Sequence, residues 1–561
     1  MMRKYILLLL AMSLPVYFAF ADKLPKYVDK ARQAVAGVVT YKQGIMLHNG
    51  TAVFAGECGD VLSSRSLFVG ADSAVVIDYK GVVRPVTRII GVDEMFDGIR
   101  VRVAADKKLK SLPVSTSSVV VGEALFQLGY GVGKSGFAEQ AIVERVDSVY
   151  SRAYYTLSKP MELHLTALPL VNGKGELVAL MQEAASVDTV NSYAIGVSML
   201  SKLEVSVPHF GKGFYPSMEI RTALPRSKEN ALSCLYMQSI IGDSISNRNV
   251  IDDFIAQYPQ CFEGYISKAE YEAVTLCDLS AAEHSWNIAF ELAENPAEVH
   301  FCKAKVINKI LLEGDSTLHP MLSLSTVLTE MDKAMKADPQ SLYLNGKAEI
   351  YCQHGYYASA AECYIALAAT DMRSPEVFAK ASQCYQTLND YERSVALLDS
   401  AVACIDAAQV KLSAPYILTR ALVNVAAEKY RKAVLDYNRY EEIVGGESNA
   451  EFYYLREQAE LRAKMYSQAL RDIDNAIYLD PQNVAYYIEK GLLCYRVKLS
   501  DEGIRTLTEA VELAPGVPDI HYLLGRLYVQ KGEKRKGVTC LEKAVELGHS
   551  DAAAVLQQLG N

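Results

Sequence analysis

Ala469-Leu470-Arg471-Asp472-Ile473-Asp474-Asn475-Ala476-Ile477-Tyr478-Leu479-Asp480-Pro481 returns, 34 residues on, as Gly503-Ile504-Arg505-Thr506-Leu507-Thr508-Glu509-Ala510-Val511-Glu512-Leu513-Ala514-Pro515. Ala469, Gly503 and Gly537 form one small-residue series at this interval, and Ala476, Ala510 and Ala544 another. Gly491 and Gly525 make a third, and Pro481 and Pro515 a fourth. Coincident series at one period identify an internal repeat. Two short antiparallel helices need glycine or alanine where they cross, and proline ends the second helix because it cannot continue one.

These residues resemble the tetratricopeptide repeat, which has small residues at the helix crossing, an aromatic at the start of the second helix and proline after it. Tyr391, Tyr430 and Tyr466 fill the aromatic slot. Extending the frame gives units at 263–296, 297–340, 341–374, 375–413, 414–449, 450–483, 484–517 and 518–549, clearest over 341–549. The unit at 297–340 carries an insertion around 314–320, and Glu457 stands where a small residue is expected. Residues 226–259 read as a degenerate capping repeat, and 550–559 as a closing helix over the last apolar face. The resemblance implies an all-α solenoid over 226–561 that binds a protein or peptide partner. Inner-surface positions of the last three units would include Tyr454, Gln458, Ile488, Leu492, Tyr522 and Arg526. No basic pattern for clamping a peptide carboxylate is present on them.

Upstream the period changes. Ala74-Val75-Val76-Ile77-Asp78-Tyr79, Ile99-Arg100-Val101-Arg102-Val103 and Glu176-Leu177-Val178-Ala179-Leu180 are short strand patterns punctuated by glycine, predicting an all-β domain over 34–203. Pro208, Gly211, Gly213, Pro216 and Pro225 then predict a linker over 204–225.

Gly50-Thr51-Ala52-Val53-Phe54, Val61 to Ala71, Gly91-Val92-Asp93, Val121-Gly122-Glu123 and Pro169-Leu170-Val171-Asn172 together resemble trypsin-like serine proteases of the HtrA type. The resemblance implies a double β-barrel. It puts Ser66 at the catalytic histidine, Asp97 at the aspartate and Thr166 at the nucleophile, with Ala167 and Leu168 replacing two glycines. Catalysis there needs a base for the nucleophile's proton and backbone N–H groups for the oxyanion. A serine hydroxyl has no basicity at neutral pH, and an unassisted threonine is a poor nucleophile. His164 lies two residues from Thr166, but an ordinary strand histidine is the favoured account of it. The expectation is a pseudoprotease with no catalytic residue. Gly129-Tyr130-Gly131-Val132-Gly133-Lys134-Ser135-Gly136 contains Gly-Lys-Ser, but Leu128 replaces the upstream glycine of a phosphate loop and strand patterns flank it.

A chain of 561 residues calls for more than one core, and its net charge of −9 argues against a nucleic-acid or anionic-membrane partner. No long Lys/Arg run appears. Arg3 and Lys4, the apolar Tyr5 to Phe18 and Ala19-Phe20-Ala21 predict a signal peptide over 1–21, with no stable membrane insertion after its cleavage. Export to a periplasm follows from that signal together with the protease resemblance. The 11 cysteines form no Cys-x-x-Cys or Cys/His pattern, so they are expected as small buried apolar residues, with no metal or cofactor. The expected function is an exported, non-enzymatic scaffold. The alternatives are an active serine/threonine-type endopeptidase with a non-standard site, and an envelope chaperone or assembly factor.

Overall fold

A computed structural model describes residues 24–57, 59–104, 109–150, 152–158, 167–182, 191–207, 210, 218–313 and 322–560. The predicted signal peptide, His164, Thr166 and the 314–320 insertion lie outside these residues. The chain divides into two compact units, Met1–Glu294 and Asn295–Asn561.

The first unit opens with helix α1 (Lys26–Ala31). Strands β1 (Val35–Lys42), β2 (Ile45–Phe54), β3 (Asp60–Ser64), β4 (Ser73–Ile77), β5 (Val83–Asp93) and β6 (Gly98–Val103) then close a barrel in the order β1-β2-β3-β6-β5-β4. Strands β7 (Ala124–Leu128), β8 (Ala138–Val149), β9 (Arg152–Leu157), β10 (Pro169–Val171), β11 (Leu177–Gln182) and β12 (Ser192–Gly196) close a second in the order β10-β11-β12-β9-β8-β7, and the short helix α2 (Val197–Leu200) follows. All named pairings are antiparallel. Two closed six-stranded antiparallel barrels are the double β-barrel expected from the sequence. Closure removes exposed sheet edges, and apolar side chains such as Leu62, Ile89, Ile99 and Val101 fill the first interior. The Gly-Lys-Ser stretch forms the turn between β7 and β8 and opens no helix.

The stretch predicted as a linker is no free tether where it is described. Asp60 and Arg100 pair inside the first barrel, and Arg100 also donates to the Leu203 carbonyl at 3.1 Å. Gly91 lets Leu203 lie against β5, since a Cβ there would sit 2.7 Å from the Leu203 carbonyl carbon. Farther on, the Ile89 N–H donates to the Arg221 carbonyl at 2.9 Å, and the Ala223 N–H to the Ile89 carbonyl at 2.8 Å. Met218, Ile220 and Leu224 are buried in the core of the first barrel. The physical reason lies in β5, whose register shifts between Ile89 and Gly91. Residues 221–223 satisfy backbone groups at that irregularity, while apolar neighbours cover it.

Helices α3 (Lys228–Ile241), α4 (Ser244–Gln257), α5 (Phe262–Glu270) and α6 (Leu279–Leu292) complete the first unit. Cys234, Leu235, Ile251 and Phe254 from this region share the barrel's apolar cluster, and Arg88 and Arg221 both reach Asp253, at 2.6 and 2.9 Å.

The second unit is a run of helix pairs. These are α7 (Pro296–Glu313) with α8 (Leu324–Ala337), α9 (Ser341–Gln353) with α10 (Tyr357–Leu367), α11 (Pro375–Thr387) with α12 (Tyr391–Ala403), and α13 (Ala414–Ala426) with α14 (Tyr430–Val444). Then come α15 (Ala450–Arg462) with α16 (Tyr466–Leu479), α17 (Val484–Arg496) with α18 (Ser500–Leu513), α19 (Pro518–Lys531) with α20 (Lys534–Glu546), and the last helix α21 (Ala552–Gly560). The turn within each pair from α9 onward uses one left-handed residue: Gly355, Asn389, Glu428, Lys464, Lys498 and Gly532. The glycines at the crossings are required by contact: a Cβ at Gly491 would lie 2.6 Å from Leu507 Cδ2, and one at Gly525 2.6 Å from Leu541 Cγ. Glu457 takes the equivalent place in its own pair and is 0% exposed. The ten described cysteines are free. Cys234, Cys261, Cys384 and Cys494 are buried, Cys277 is exposed, and the others are half-buried.

Candidate functional site

Ser66 lies in a single helical turn, Arg65–Phe68, directly after β3. Asp97 lies in the turn between β5 and β6 with a left-handed φ of 51°. The antiparallel pairing of Ser64 with Gly98 sets these two turns side by side. Asp97 Oδ2 accepts from Ser66 Oγ at 3.0 Å and also from the Ser64 hydroxyl. Asp97 Oδ1 accepts from the Ser66 backbone N–H at 2.8 Å and from Arg65 Nε at 3.4 Å. The Asp97 carbonyl takes the Arg65 N–H at 2.8 Å, and the Ser64 and Ser66 hydroxyl oxygens lie 2.6 Å apart, so either hydroxyl donates to the other or to Asp97 but not to both. The carboxylate is therefore occupied by hydroxyl, amide and guanidinium donors. None of those groups takes up a proton at neutral pH.

On the second barrel, Ala167 and Leu168 are buried, and the Ala167 N–H donates to the Met181 carbonyl at 3.0 Å. Ala167 has a φ of 59°, a conformation that glycine adopts freely and alanine does not. Ser64, Asp97, Ala167, Met181, Gln182 and Leu200 line a cavity of about 10 Å³ between the barrels. That is room for about one water molecule. Ser66 and Asp97 are thus brought together, whereas the third sequence-derived position, Thr166, lies outside the described residues.

All six expected partner-facing residues of the repeats sit on first helices of their pairs and are half-buried. Several are spent on packing. Tyr522 stacks on His549 with ring centroids 4.0 Å apart, and Arg526 donates to the Tyr522 hydroxyl at 2.8 Å and also to that of Tyr495. Tyr454 meets the Tyr486 ring at 5.3 Å, and Ile488 and Leu492 pack against the Leu507–Leu524 cluster. Gln458 donates to Glu457 at 2.7 Å.

Another feature was not visible as a run of sequence. The α13–α14 turn and the α15–α16 turn bound a cavity of about 340 Å³ lined by Glu428, Lys429, Tyr430, Arg431, Lys432, Arg462, Ala463 and Lys464. Lys429 pairs with Glu392 at 3.2 Å. Arg431, Lys432, Arg462 and Lys464 are exposed and have no carboxylate within ion-pair distance among the described residues. Each stretch alone is short, and only the repeat period places them together. The signal available was the equivalence of positions in successive units.

The buried carboxylates nearby are unusual. Arg456 bonds Asp472 through Nε at 2.5 Å and Glu441 through Nη1 at 2.5 Å. Glu457 and Glu460 each keep one buried oxygen without a hydrogen-bond partner among the described residues. Burial, with Glu489 adding repulsion, pushes Glu457 up to about 7. Burial, with Asp472 adding repulsion, pushes Glu460 up to about 8.

Comparison with known proteins adds the following. The family model for the tetratricopeptide repeat matches residues 518–547. Mitochondrial import receptor subunit TOM70 of Mus musculus is 29% identical over 166 residues, covering 28% of this chain and 27% of that protein. The same subunit of Rattus norvegicus is 30% identical over 103 residues, covering 18% of this chain and 17% of its own length. The chain thus spans at most about a quarter of the curated relatives it matches. Among solved structures, a serine endoprotease from Yersinia pestis is similar at 17% identity and a TM-score of 0.28, over 32% of this chain and 66% of that one. YrrB, a repeat protein with an unusual peptide-binding site, is similar at 19% identity and a TM-score of 0.30, over 35% of this chain and 99% of that one.

Proposed function

We propose that the chain is an exported polypeptide-binding scaffold in which a catalytically silent protease-like double barrel is joined to a repeat solenoid. The observation that carries the silent barrel is the contact of Ser66 with Asp97. The carboxylate that would orient a histidine accepts from hydroxyl and amide groups instead, and among the described residues no histidine hydrogen-bonds to it. The repeat match and the import-receptor relatives support polypeptide binding by the helical half. Among the described residues no helix is long and apolar enough to cross a membrane. Export to a periplasm rests on the sequence of residues 1–21 and on the protease resemblance.

Incubation of the purified mature protein with unfolded casein tests the silent barrel. The expected outcome is no cleavage, and the same blank trace from a Thr166→Ala variant. Cleavage by the parent that disappears in Thr166→Ala would establish the endopeptidase alternative instead.

A further inference from the structure

We propose that the recess between the α13–α14 and α15–α16 turns is a docking site for an acidic polypeptide segment. This deepens the polypeptide-binding reading above and rests on it, naming a place and a partner chemistry. Four exposed cations, Arg431, Lys432, Arg462 and Lys464, converge on a cavity of about 340 Å³ with one carboxylate, Glu428, on its wall. Four cations beside a single carboxylate leave a net positive charge and repel one another, so an entering anion lowers the free energy of their convergence. The partial positive charge at the N-terminus of α14 adds to this, since the Lys429 side chain caps none of its N–H groups, although the Lys429 carbonyl takes that of Lys432 at 2.9 Å.

Charge selects the partner at this open, shallow surface. The chain as a whole carries a net charge of −9, which repels an extended polyanion at long range. A short run of Asp and Glu feels chiefly the local cations, because screening confines the interaction to about 8–10 Å at physiological salt. Guanidinium groups at Arg431 and Arg462 suit the bidentate geometry of a carboxylate. The predicted inner-surface residues are largely engaged in packing, whereas these four are open.

The test is fluorescence anisotropy of labelled octaglutamate with the full-length protein at low salt. Saturable binding is expected, weakened roughly tenfold or more by Arg431→Glu with Lys432→Glu, and likewise by Arg462→Glu with Lys464→Glu. Lys110→Glu with Lys174→Glu makes the same change in net charge on exposed barrel positions, and is expected to leave affinity within about twofold. Circular-dichroism melts confirm that each variant folds. Absence of octaglutamate binding, or equal losses in the corner and barrel variants, overturns the proposal. So does co-sedimentation with phosphatidylserine vesicles that the corner reversals abolish. If the parent binds no octaglutamate yet parent and corner variants crosslink to the same envelope proteins, the corner site fails while the broader binding function stands.

Discussion

Asp60 in the first barrel and Glu457 in the solenoid are both carboxylates with 0% exposure, and they are treated in opposite ways. Asp60 is surrounded by guanidinium: Arg100 Nε lies 3.0 Å from one oxygen and Arg102 Nε 2.8 Å from the other. Glu457 has Gln458 on one oxygen and no partner on the other, with Glu489 nearby to repel it. The difference follows from how each region is built. The barrel joins strands distant in sequence, so a charge inside it must be matched if the sheet is to close. A repeat leans only on its neighbours, so one poorly matched position is carried locally and the array persists.

Breaking the matched case should have the largest effect of any single substitution. Asp60→Ala leaves the buried Arg100 without its carboxylate, while the more exposed Arg102 keeps Glu57, and is expected to lower stability by about 3–5 kcal/mol. Urea unfolding followed by tyrosine fluorescence measures it, and a loss under about 1 kcal/mol would mean that the pair is not needed for closure.

The unmatched case should reveal itself through pH. Glu457 and Glu460 hold their protons in the folded state up to about 7 and about 8, above the ordinary carboxylate value. The folded chain therefore binds protons that the unfolded chain has released, so its stability falls as pH rises. The contribution is complete below the unfolded value and is lost as pH climbs through the folded ones. Asp472 is shifted the same way, by burial acting against its bond to Arg456. Between pH 5 and 8 the two glutamates together are expected to cost the repeats on the order of 6 kcal/mol. Glu457→Gln should flatten that slope and raise stability at the alkaline end. A helical melting temperature that rises from pH 5 to pH 8 would contradict this.

A smaller test concerns the local turns. Lys498 occupies the left-handed position that Gly355 and Gly532 fill in other pairs. Lys498→Gly is expected to stabilise by about 0.5–1 kcal/mol, the left-handed penalty less the added freedom of the unfolded chain. A destabilisation would show that the lysine side chain contributes more there than its backbone costs.

The repeats were legible because their physics is periodic: Gly491, Gly525, Pro481 and Pro515 each mark a contact or a stop that recurs. The double barrel was legible through strand alternation and the protease resemblance. The role of residues 218–224 was not, because prolines and glycines signal a break in regular structure whether the chain floats free or docks. Ile89 decides between these cases, and it lies more than a hundred residues away. Of the candidate site, Ser66 and Asp97 could be paired by position. The corner cations could not, since charges scattered in sequence become a patch only after the helices are stacked.

The seat of residues 218–224 on the first barrel has a consequence for biosynthesis. The barrel strands precede Ile220 and Leu224 along the chain, so in vectorial synthesis or export the apolar surface that these residues cover is available before they are. A nascent chain halted near residue 203 would present that surface together with unsatisfied backbone at Ile89, a natural target for holdase chaperones and a nucleus for aggregation.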